Sequence, residues 1–301
     1  MKFEVRAPGK VNLCLFLGPV REDGRHELVT LFESVSVADS IQVTTAAATA
    51  AASGPDATAA PTPADQIVCA GVDGLNIVTR TLDGLRARGW AGRPLRIVID
   101  KQIPVAGGMG GGSADAAAVL RVAPLLAPVD EDVVVALAAS LGADVPGQLR
   151  PGLSLGTGAG DVIQRLDPLA PHAFVIVPQP FGLSTAEVYR EADRLGLPRD
   201  DLDLAARLRD VRGAAAPALV NDLEPAALSL APEIGGALEA LRDAGAAHAM
   251  VSGSGPTVFG VFFGPQAGAS AADAARGLVA RYPGATSATP VSEEFGAPRG
   301  S

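Results

Sequence analysis

Residues 103–120 form the stretch IPVAGGMGGGSADAAAVL. Upstream, residues 95–100 (LRIVID) have the apolar, β-branched composition of a buried strand. Downstream, the alanine-rich segment favours a helix. The sequence therefore predicts a strand, then a glycine loop at residues 104–114, and then a helix.

This glycine loop has the properties of an anion site. Glycines let backbone amides approach a ligand closely, and free amides in the first turn of a helix lie at the positive end of its dipole. We expect Ser113 to be the N-cap of that helix. A tight glycine-rich turn without a ligand is the alternative. The predicted phosphate-binding residues are Pro104, Val105, Ala106, Gly107, Gly108, Met109, Gly110, Gly111, Gly112, Ser113 and Ala114.

The loop matches neither of the two common nucleotide fingerprints. A Walker loop requires a lysine after its last glycine, and here Ser113 follows Gly112 directly. The dinucleotide spacing also fails, because Ser113 occupies the position of the third glycine. A phosphate site of another class is therefore expected.

Length and composition indicate a globular protein of two domains. The chain has 301 residues, of which 48% are hydrophobic. No apolar run reaches the ~18 residues of a membrane helix. The initial residues MKFEVRAPGK contain no apolar signal core, so we expect a cytoplasmic protein without a membrane partner. Cys14 and Cys69 match no metal spacing and are expected to be reduced, buried thiols.

The formal net charge of −9 disfavours nucleic acid as a partner. An acidic protein that binds an anionic small molecule must concentrate positive charge locally. Lysine is rare here, occurring only as Lys2, Lys10 and Lys101. Lys10 and Lys101 lie beside motifs, although either could be a surface lysine. Composition does not distinguish a monomer from a homodimer.

Local patterns predict alternating strands and helices. Residues 3–7 and 11–17 are expected to form two strands separated by Pro8-Gly9, and residues 33–37 and 41–45 two more. Residues 46–64, rich in alanine, threonine and proline, are expected to be a flexible excursion.

Three small-residue segments occur in order along the chain: APGKVN at residues 7–12, the glycine loop, and SGSGPTVFG at residues 252–260. Together they resemble the three motifs of the GHMP kinase superfamily, which phosphorylates small-molecule hydroxyls with ATP. The resemblance implies an α+β fold of two domains. Residues 1–160 would form an N-terminal domain of the type found in a ribosomal protein, and residues 161–301 a ferredoxin-like C-terminal domain.

Further segments are similar to one branch of this superfamily. They are APGKVNLCL, REDGRHEL, LGADVP, GLSTAEVY and NDLE. That branch belongs to the non-mevalonate route to isoprenoid precursors and phosphorylates a methylerythritol that carries a cytidine diphosphate group. A related kinase acting on a different small alcohol is the alternative.

The resemblance assigns the catalytic pair. Asp144 in the LGADVP segment would accept the proton of the substrate hydroxyl, and Lys10 would orient Asp144 and polarise the hydroxyl or a phosphate oxygen. By itself, Asp144 is more commonly a carboxylate in a turn beside a helix. ATP would be the phosphate donor, with Mg²⁺ neutralising its phosphates; the Mg²⁺ ligands are not assigned.

The resemblance also assigns the substrate site. His26 and Tyr189 would contact the cytosine, and Asn12 would bind near the reacting hydroxyl. Arg25 stands where this branch usually has an aromatic residue, so its guanidinium would lie over the base or reach the diphosphate. Gly147 likewise replaces an aromatic residue, near the substrate. The predicted substrate-binding residues are Asn12, Arg25, His26, Thr185, Tyr189, Gly253 and Ser254.

Overall fold

The computed structural model describes residues 1–46, 64–71, 76–213 and 218–300. The predicted excursion at residues 46–64 lies outside these ranges, apart from its two end residues. Within the described ranges, no helix combines the length and the apolar character needed to cross a bilayer.

The larger sheet, eight-stranded among the described residues, is built around two long antiparallel strands in the order β12-β1-β2-β4-β3. A short β5–β6 hairpin extends from β2, and β8 pairs in parallel with β1. The strands are β1 (Lys2–Val20), β2 (His26–Thr45), β3 (Gln66–Cys69), β4 (Leu95–Asp100), β5 (Leu153–Thr157), β6 (Val162–Arg165), β8 (Val220–Asn221) and β12 (Arg299–Gly300).

The smaller sheet is antiparallel, with the order β11-β7-β10-β9. Its strands are β7 (His172–Val177), β9 (His248–Val251), β10 (Val258–Phe263) and β11 (Thr286–Ala288). Two clusters of buried apolar side chains form the core, one centred on each sheet. This mixture of helices and sheets confirms the α+β class.

Helices cover both sheets. The N-terminal half contributes α1 (Ile77–Ala87), α2 (Gly111–Leu126), α3 (Glu131–Leu141) and α4 (Val145–Gln148). The C-terminal half contributes α5 (Thr185–Arg194), α6 (Asp201–Gly213), α7 (Glu224–Leu230), α8 (Ile234–Asp243) and α9 (Ala267–Leu278). A 3₁₀ turn at Glu293–Gly296 precedes the last strand.

Elements from the second half also join the larger sheet. β6 pairs with β5 beyond residue 160, while β8 and β12 both pair with β1. The boundary between residues 160 and 161 stays a prediction, since the larger sheet is assembled from both parts of the chain.

Three predictions of local structure were wrong. Pro8-Gly9 does not end a strand, because β1 continues through it with a register shift between Pro8 and Lys10. Residues 33–37 and 41–45 were predicted as two strands, but both belong to the single continuous strand β2. Ser113 is not the N-cap: α2 begins at Gly111, and Gly110 precedes it in the left-handed region at φ 67°. Glycine adopts that conformation without a steric penalty, so the helix starts earlier than expected.

The two cysteines are free, as expected. Cys14 is buried, whereas Cys69 is only partly buried and lies at the wall of the main cavity. Burial raises the pKa of the Cys14 thiol to about 12, which makes it an unreactive core residue.

Candidate active site

A cavity of about 720 Å³ lies where the three small-residue segments meet. It is walled by most of the predicted loop residues, by Lys10, Asn12 and Asp144, and by Thr185, Tyr189, Gly253 and Ser254. Met109 and Ala114 of the loop are fully buried beneath it. Arg25 and His26 are not among the lining residues. Residues from β1, α5 and the third segment thus converge on the loop.

The glycine loop is held against the third segment by backbone contacts. The Ser252 hydroxyl donates to the Gly108 carbonyl at 3.2 Å, and the Thr257 amide donates to the Gly107 carbonyl at 3.3 Å. Gly108 has φ 78°, and a Cβ placed on it would lie 2.2 Å from the Ser252 carbonyl oxygen. Only glycine fits here, because any side chain would collide with backbone.

Lys10 and Asp144 face each other at the rim of the cavity. Lys10 Nζ lies 3.7 Å from Asp144 Oδ2, with 6% of the lysine side chain and 42% of the aspartate side chain exposed. Gly110 brings the loop to this pair, since a Cβ on it would lie 3.3 Å from the Lys10 side chain. Asp144 immediately precedes α4, whose start fixes its backbone. An exposed carboxylate beside a buried ammonium is suited to accept a proton from a hydroxyl.

Asn12 connects Lys10 to a residue that sequence reasoning missed. Lys10 Nζ donates to Asn12 Oδ1 at 2.7 Å, and Asn12 Nδ2 donates to Thr30 Oγ1 at 2.8 Å. The Thr30 hydroxyl in turn donates to the Cys14 carbonyl at 2.8 Å. Thr30 sits on β2, and its polar character inside a buried strand was the available signal. This chain of bonds fixes the orientation of the Asn12 amide.

The third segment lies directly on the same pair. Gly253 has φ 57°, and a Cβ on it would be 3.1 Å from Asn12 Oδ1 and 3.3 Å from Lys10 Nζ. Asn221 holds this segment in place: its side-chain amide donates to the carbonyls of Val251 and Gly253 at 2.9 and 2.7 Å. Asn221 belongs to the NDLE stretch, and its role is to position backbone.

Helix α5 presents one face to the cavity. Thr185 Oγ1 lies 3.0 Å from Ser254 Oγ, which joins the start of the helix to the third segment. Tyr189, one turn later, is half-buried at the cavity wall. Burial raises the pKa of the Tyr189 phenol, and the charge of Asp144 adds to the rise. The phenol therefore stays neutral close to the catalytic pair.

His26 and Arg25 take different positions. His26 is buried, with its Nε2 atom 2.8 Å from Asp193 Oδ1 and its ring 5.3 Å from the ring of Tyr189. The Arg25 guanidinium donates to Asp23 at 2.8 Å and lies 3.6 Å from Asp161, and half of its side chain is exposed. Arg25 would have to release Asp23 to reach a substrate base, so its assignment stays a prediction.

The absence of a side chain at residue 147 has a structural reason. A Cβ at residue 147 would lie 2.1 Å from the ring of Phe32. Phe32 on β2 therefore fills the space that a side chain at position 147 would take. Gly147 and Phe32 together keep an aromatic ring beneath the loop that carries Asp144.

A buried cluster of charges anchors the start of the glycine loop. Lys101 Nζ donates to Asp39 and, at 2.9 Å, to Asp115 Oδ2. Asp39 also accepts the backbone amides of Gln102 and Ile103 at 2.6 and 2.8 Å. Burial raises the pKa of Asp115 to about 7 against the opposing charge of Lys101, with a further rise from Asp39. Because its ammonium is already paired twice, Lys101 positions the loop.

The donor set for a metal ion is sparse. The described residues contain no group of three or more histidine, cysteine, aspartate or glutamate side chains that could hold one. Oxygen donors at the cavity wall include the half-buried Ser113 hydroxyl, the Asp144 carboxylate and the Asp115 carboxylate, whose Oδ1 atom has no hydrogen-bond partner among the described residues. Such donors would fit a Mg²⁺ ion that keeps several waters and binds together with phosphates.

Comparisons with known proteins agree with this geometry. The family described as "GHMP kinases N terminal domain" matches residues 76–162, and "GHMP kinases C terminal" matches residues 197–280. A 4-diphosphocytidyl-2-C-methyl-D-erythritol kinase of Nocardioides sp. is 42% identical over 294 residues, covering 93% of each chain. The kinase of the same name from Corynebacterium efficiens is 42% identical and covers 86% of this chain and 84% of its own.

Solved structures give the same result. A crystal structure of 4-(cytidine 5'-diphospho)-2C-methyl-D-erythritol kinase superposes with a TM-score of 0.70 at 32% identity, covering 96% of this chain and 99% of the other. A homoserine kinase from Cytophaga hutchinsonii has a TM-score of 0.59 at 19% identity, with coverage of 99% and 96%, and so shares the fold. The chain is a small-molecule kinase and belongs to the GHMP kinase family, among the relatives named 4-diphosphocytidyl-2-C-methyl-D-erythritol kinase.

Proposed function

We propose that this enzyme transfers the γ-phosphoryl group of ATP to the 2-hydroxyl of 4-diphosphocytidyl-2-C-methyl-D-erythritol, a step of non-mevalonate isoprenoid precursor synthesis. The observation that carries the proposal is the Lys10–Asp144 pair, 3.7 Å apart beside the glycine loop. The names of the relatives support the choice of substrate. We further propose a cytoplasmic location, where ATP is available.

In the proposed mechanism, the loop and the first turn of α2 bind the phosphates of ATP through backbone amides. Asp144 accepts the proton of the substrate hydroxyl while the oxygen attacks the γ-phosphorus and the bond to the β-phosphate oxygen breaks. Lys10 stabilises the negative charge on the transferred group, and its bond to Asn12 holds the ammonium in place.

A Mg²⁺ ion bound with ATP would supply charge neutralisation at the phosphates. Ser113 is the proposed protein ligand, because its hydroxyl lies in the first turn of α2 at the cavity wall. Asp144 is not proposed as a metal ligand, because it acts as the catalytic base.

The part of the cavity at Tyr189 is proposed to bind the cytidine diphosphate part of the substrate. Tyr189 offers an aromatic face there, and Thr185, Gly253 and Ser254 also line the cavity, with Thr185 Oγ1 3.0 Å from Ser254 Oγ. Asn12 contacts Lys10 and would lie near the reacting hydroxyl. The relatives named 4-diphosphocytidyl-2-C-methyl-D-erythritol kinase favour this substrate over another small alcohol.

The test is ADP release with purified enzyme, MgATP and one acceptor at a time. The diphosphocytidyl substrate should give rapid turnover, whereas mevalonate, homoserine and galactose should give none above the ATPase background. Faster turnover with any of the three control alcohols would replace the proposed substrate. Absence of transfer to all four would contradict the proposal.

A further inference from the structure

The face of α5 that lines the cavity extends one turn beyond Tyr189. Thr185, Tyr189 and Asp193 are spaced four residues apart, so they lie along one face of the helix. The first two line the cavity. Asp193 continues the row and reaches His26, the first residue of β2. The resemblance assigned Thr185 and Tyr189 to the substrate site but not Asp193.

The contact with Asp193 determines which nitrogen of His26 carries a proton. Asp193 Oδ1 lies 2.8 Å from His26 Nε2, and an ionised carboxylate can only accept. Nε2 is therefore the donor, and in the neutral imidazole Nδ1 is left as an acceptor. Nδ1 makes no hydrogen bond within the described residues, and it is not among the buried polar atoms that lack a partner. It is the ring nitrogen that remains available to a ligand.

The surroundings of His26 suit a planar base. Its ring lies 5.3 Å from the Tyr189 ring at an interplanar angle of 44°, so an aromatic face of the cavity wall adjoins the imidazole. A base stacked on Tyr189 would place its exocyclic substituent within reach of the imidazole edge. Cytosine carries an amino group at that position, which donates, whereas uracil carries a carbonyl, which accepts.

We propose that Asp193 is a positioning residue that selects cytosine over uracil by holding His26 as the tautomer with an acceptor at Nδ1. This inference rests on the proposed function, because it requires a pyrimidine nucleotide as part of the acceptor substrate. Nδ1 accepts the cytosine amino group, while a uracil carbonyl would face another acceptor without an intervening proton. Asp193 acts through His26 and makes no contact with substrate itself.

The first test measures the tautomer directly. The chain contains three histidines, His26, His172 and His248, so the imidazole ¹⁵N resonances are readily assigned by substitution. Full-length wild-type enzyme without substrate should give the Nε2-protonated pattern for His26. Asp193→Asn should introduce the Nδ1-protonated form, since an amide can also donate to Nε2. Glu187→Gln, an exposed change on the same helix, should leave the His26 pattern unchanged.

The second test measures selectivity. The ratio of kcat/KM for the cytidine substrate to kcat/KM for its uridine analogue is determined for the wild type, Asp193→Asn and Glu187→Gln. One neutral hydrogen bond corresponds to a factor of about ten, so Asp193→Asn should lower the ratio about tenfold. The KM for ATP should not change. Asp193→Ala should lower the ratio as well, and Glu187→Gln should keep the wild-type value.

The outcomes separate the two proposals. An unchanged ratio in Asp193→Asn, or a wild-type His26 protonated on Nδ1, would overturn the role of Asp193 while leaving the kinase reaction intact. Failure of the wild type to phosphorylate either nucleotide substrate would overturn the proposed function and, with it, the selection of a base. A lowered ratio together with the expected tautomer change would support both.

Discussion

The side-chain amide of Asn12 donates a hydrogen bond to the hydroxyl of Thr30 at 2.8 Å, and its carbonyl accepts one from Lys10 at 2.7 Å. The amide cannot turn over without breaking both bonds. Thr30 thereby decides which end of Asn12 faces Lys10, although the hydroxyl is not bonded to Lys10 itself.

Thr30→Val should therefore reduce turnover. The substitution keeps the shape of the side chain but leaves the buried amide of Asn12 without an acceptor, which costs about 1–3 kcal/mol. We expect kcat to fall about tenfold or more, with the KM for ATP nearly unchanged. Thr30→Ser retains the hydroxyl and should restore most of the rate. Wild-type kcat in Thr30→Val would show that the orientation of Asn12 does not matter for catalysis.

Gly108→Ala should weaken nucleotide binding and reduce stability. Its Cβ would lie 2.2 Å from the Ser252 carbonyl oxygen, and its φ of 78° disfavours any side chain. The loop must move to relieve both effects. Thermal unfolding and ATP affinity measure the outcome. Gly277→Ala, in α9 with nothing within 4 Å of the added Cβ, is the control and should not weaken ATP binding. Equal behaviour of the two variants would contradict the packing of the loop on the third segment.

The pair of His172 and Glu33 predicts a pH-dependent stability. His172 Nε2 lies 2.7 Å from Glu33 Oε2, and 3% of each side chain is exposed. Burial lowers the pKa of His172, but the hydrogen bond and charge of Glu33 outweigh it, so the pKa is raised overall. The pair therefore contributes its full stabilisation at pH values below ~6.5, the pKa of a histidine in the unfolded chain. This contribution is lost as the pH rises through the higher pKa that His172 has in the folded protein.

Glu33→Gln tests this pair. The variant should have a lower free energy of unfolding than the wild type. This difference should be largest below about pH 6 and should shrink as the pH rises through the pKa of His172 in the folded protein. Denaturant unfolding at several pH values gives the comparison. Glu131→Gln, which removes an exposed ion pair with Arg150, should change stability by less than about 1 kcal/mol at every pH. A loss that grows with pH would reverse the sign we derive.

Arg25 offers a test of the substrate end. Its guanidinium is paired with Asp23 and lies outside the cavity lining, so it must move to meet the substrate as proposed. Arg25→Ala should then raise the KM for the cytidine substrate about five- to thirtyfold, as for a partly desolvated stacking contact, whereas a change of less than about twofold would show that Arg25 stays paired with Asp23. Arg25→Tyr should then preserve binding.

The sequence predicted the order of elements better than their ends. The strand before the glycine loop was correct because its apolar pattern is continuous, and the helix after the loop was correct because that segment is rich in alanine. The continuation of β1 through Pro8-Gly9 was missed, because a bulge is defined by pairing with another strand. The start of α2 was missed because the left-handed glycine at residue 110 replaces a side-chain cap.

The residues of the site likewise fall into those that the sequence predicted and those that it did not. The resemblance to the GHMP kinases was enough to propose Lys10 and Asp144, and the structure places their side chains 3.7 Å apart. Thr30, Asn221 and Asp193 act through hydrogen bonds to residues distant in the sequence, so their roles were not assigned, although Asn221 lies in the NDLE segment and Thr30 is a polar residue in a buried strand. The structure was needed to explain the glycine at position 147, because the ring that excludes a side chain there belongs to Phe32 on β2.

The most direct test of the account is phosphoryl transfer by Asp144→Asn. The amide has the shape of the carboxylate but cannot accept the hydroxyl proton, so single-turnover transfer to the cytidine substrate should slow by about 10²–10⁴-fold. ATP affinity, measured separately by calorimetry, should stay close to the wild-type value, because the phosphate contacts come from the loop. A variant that retains more than half of the wild-type transfer rate would contradict the assignment of Asp144 as the base beside Lys10.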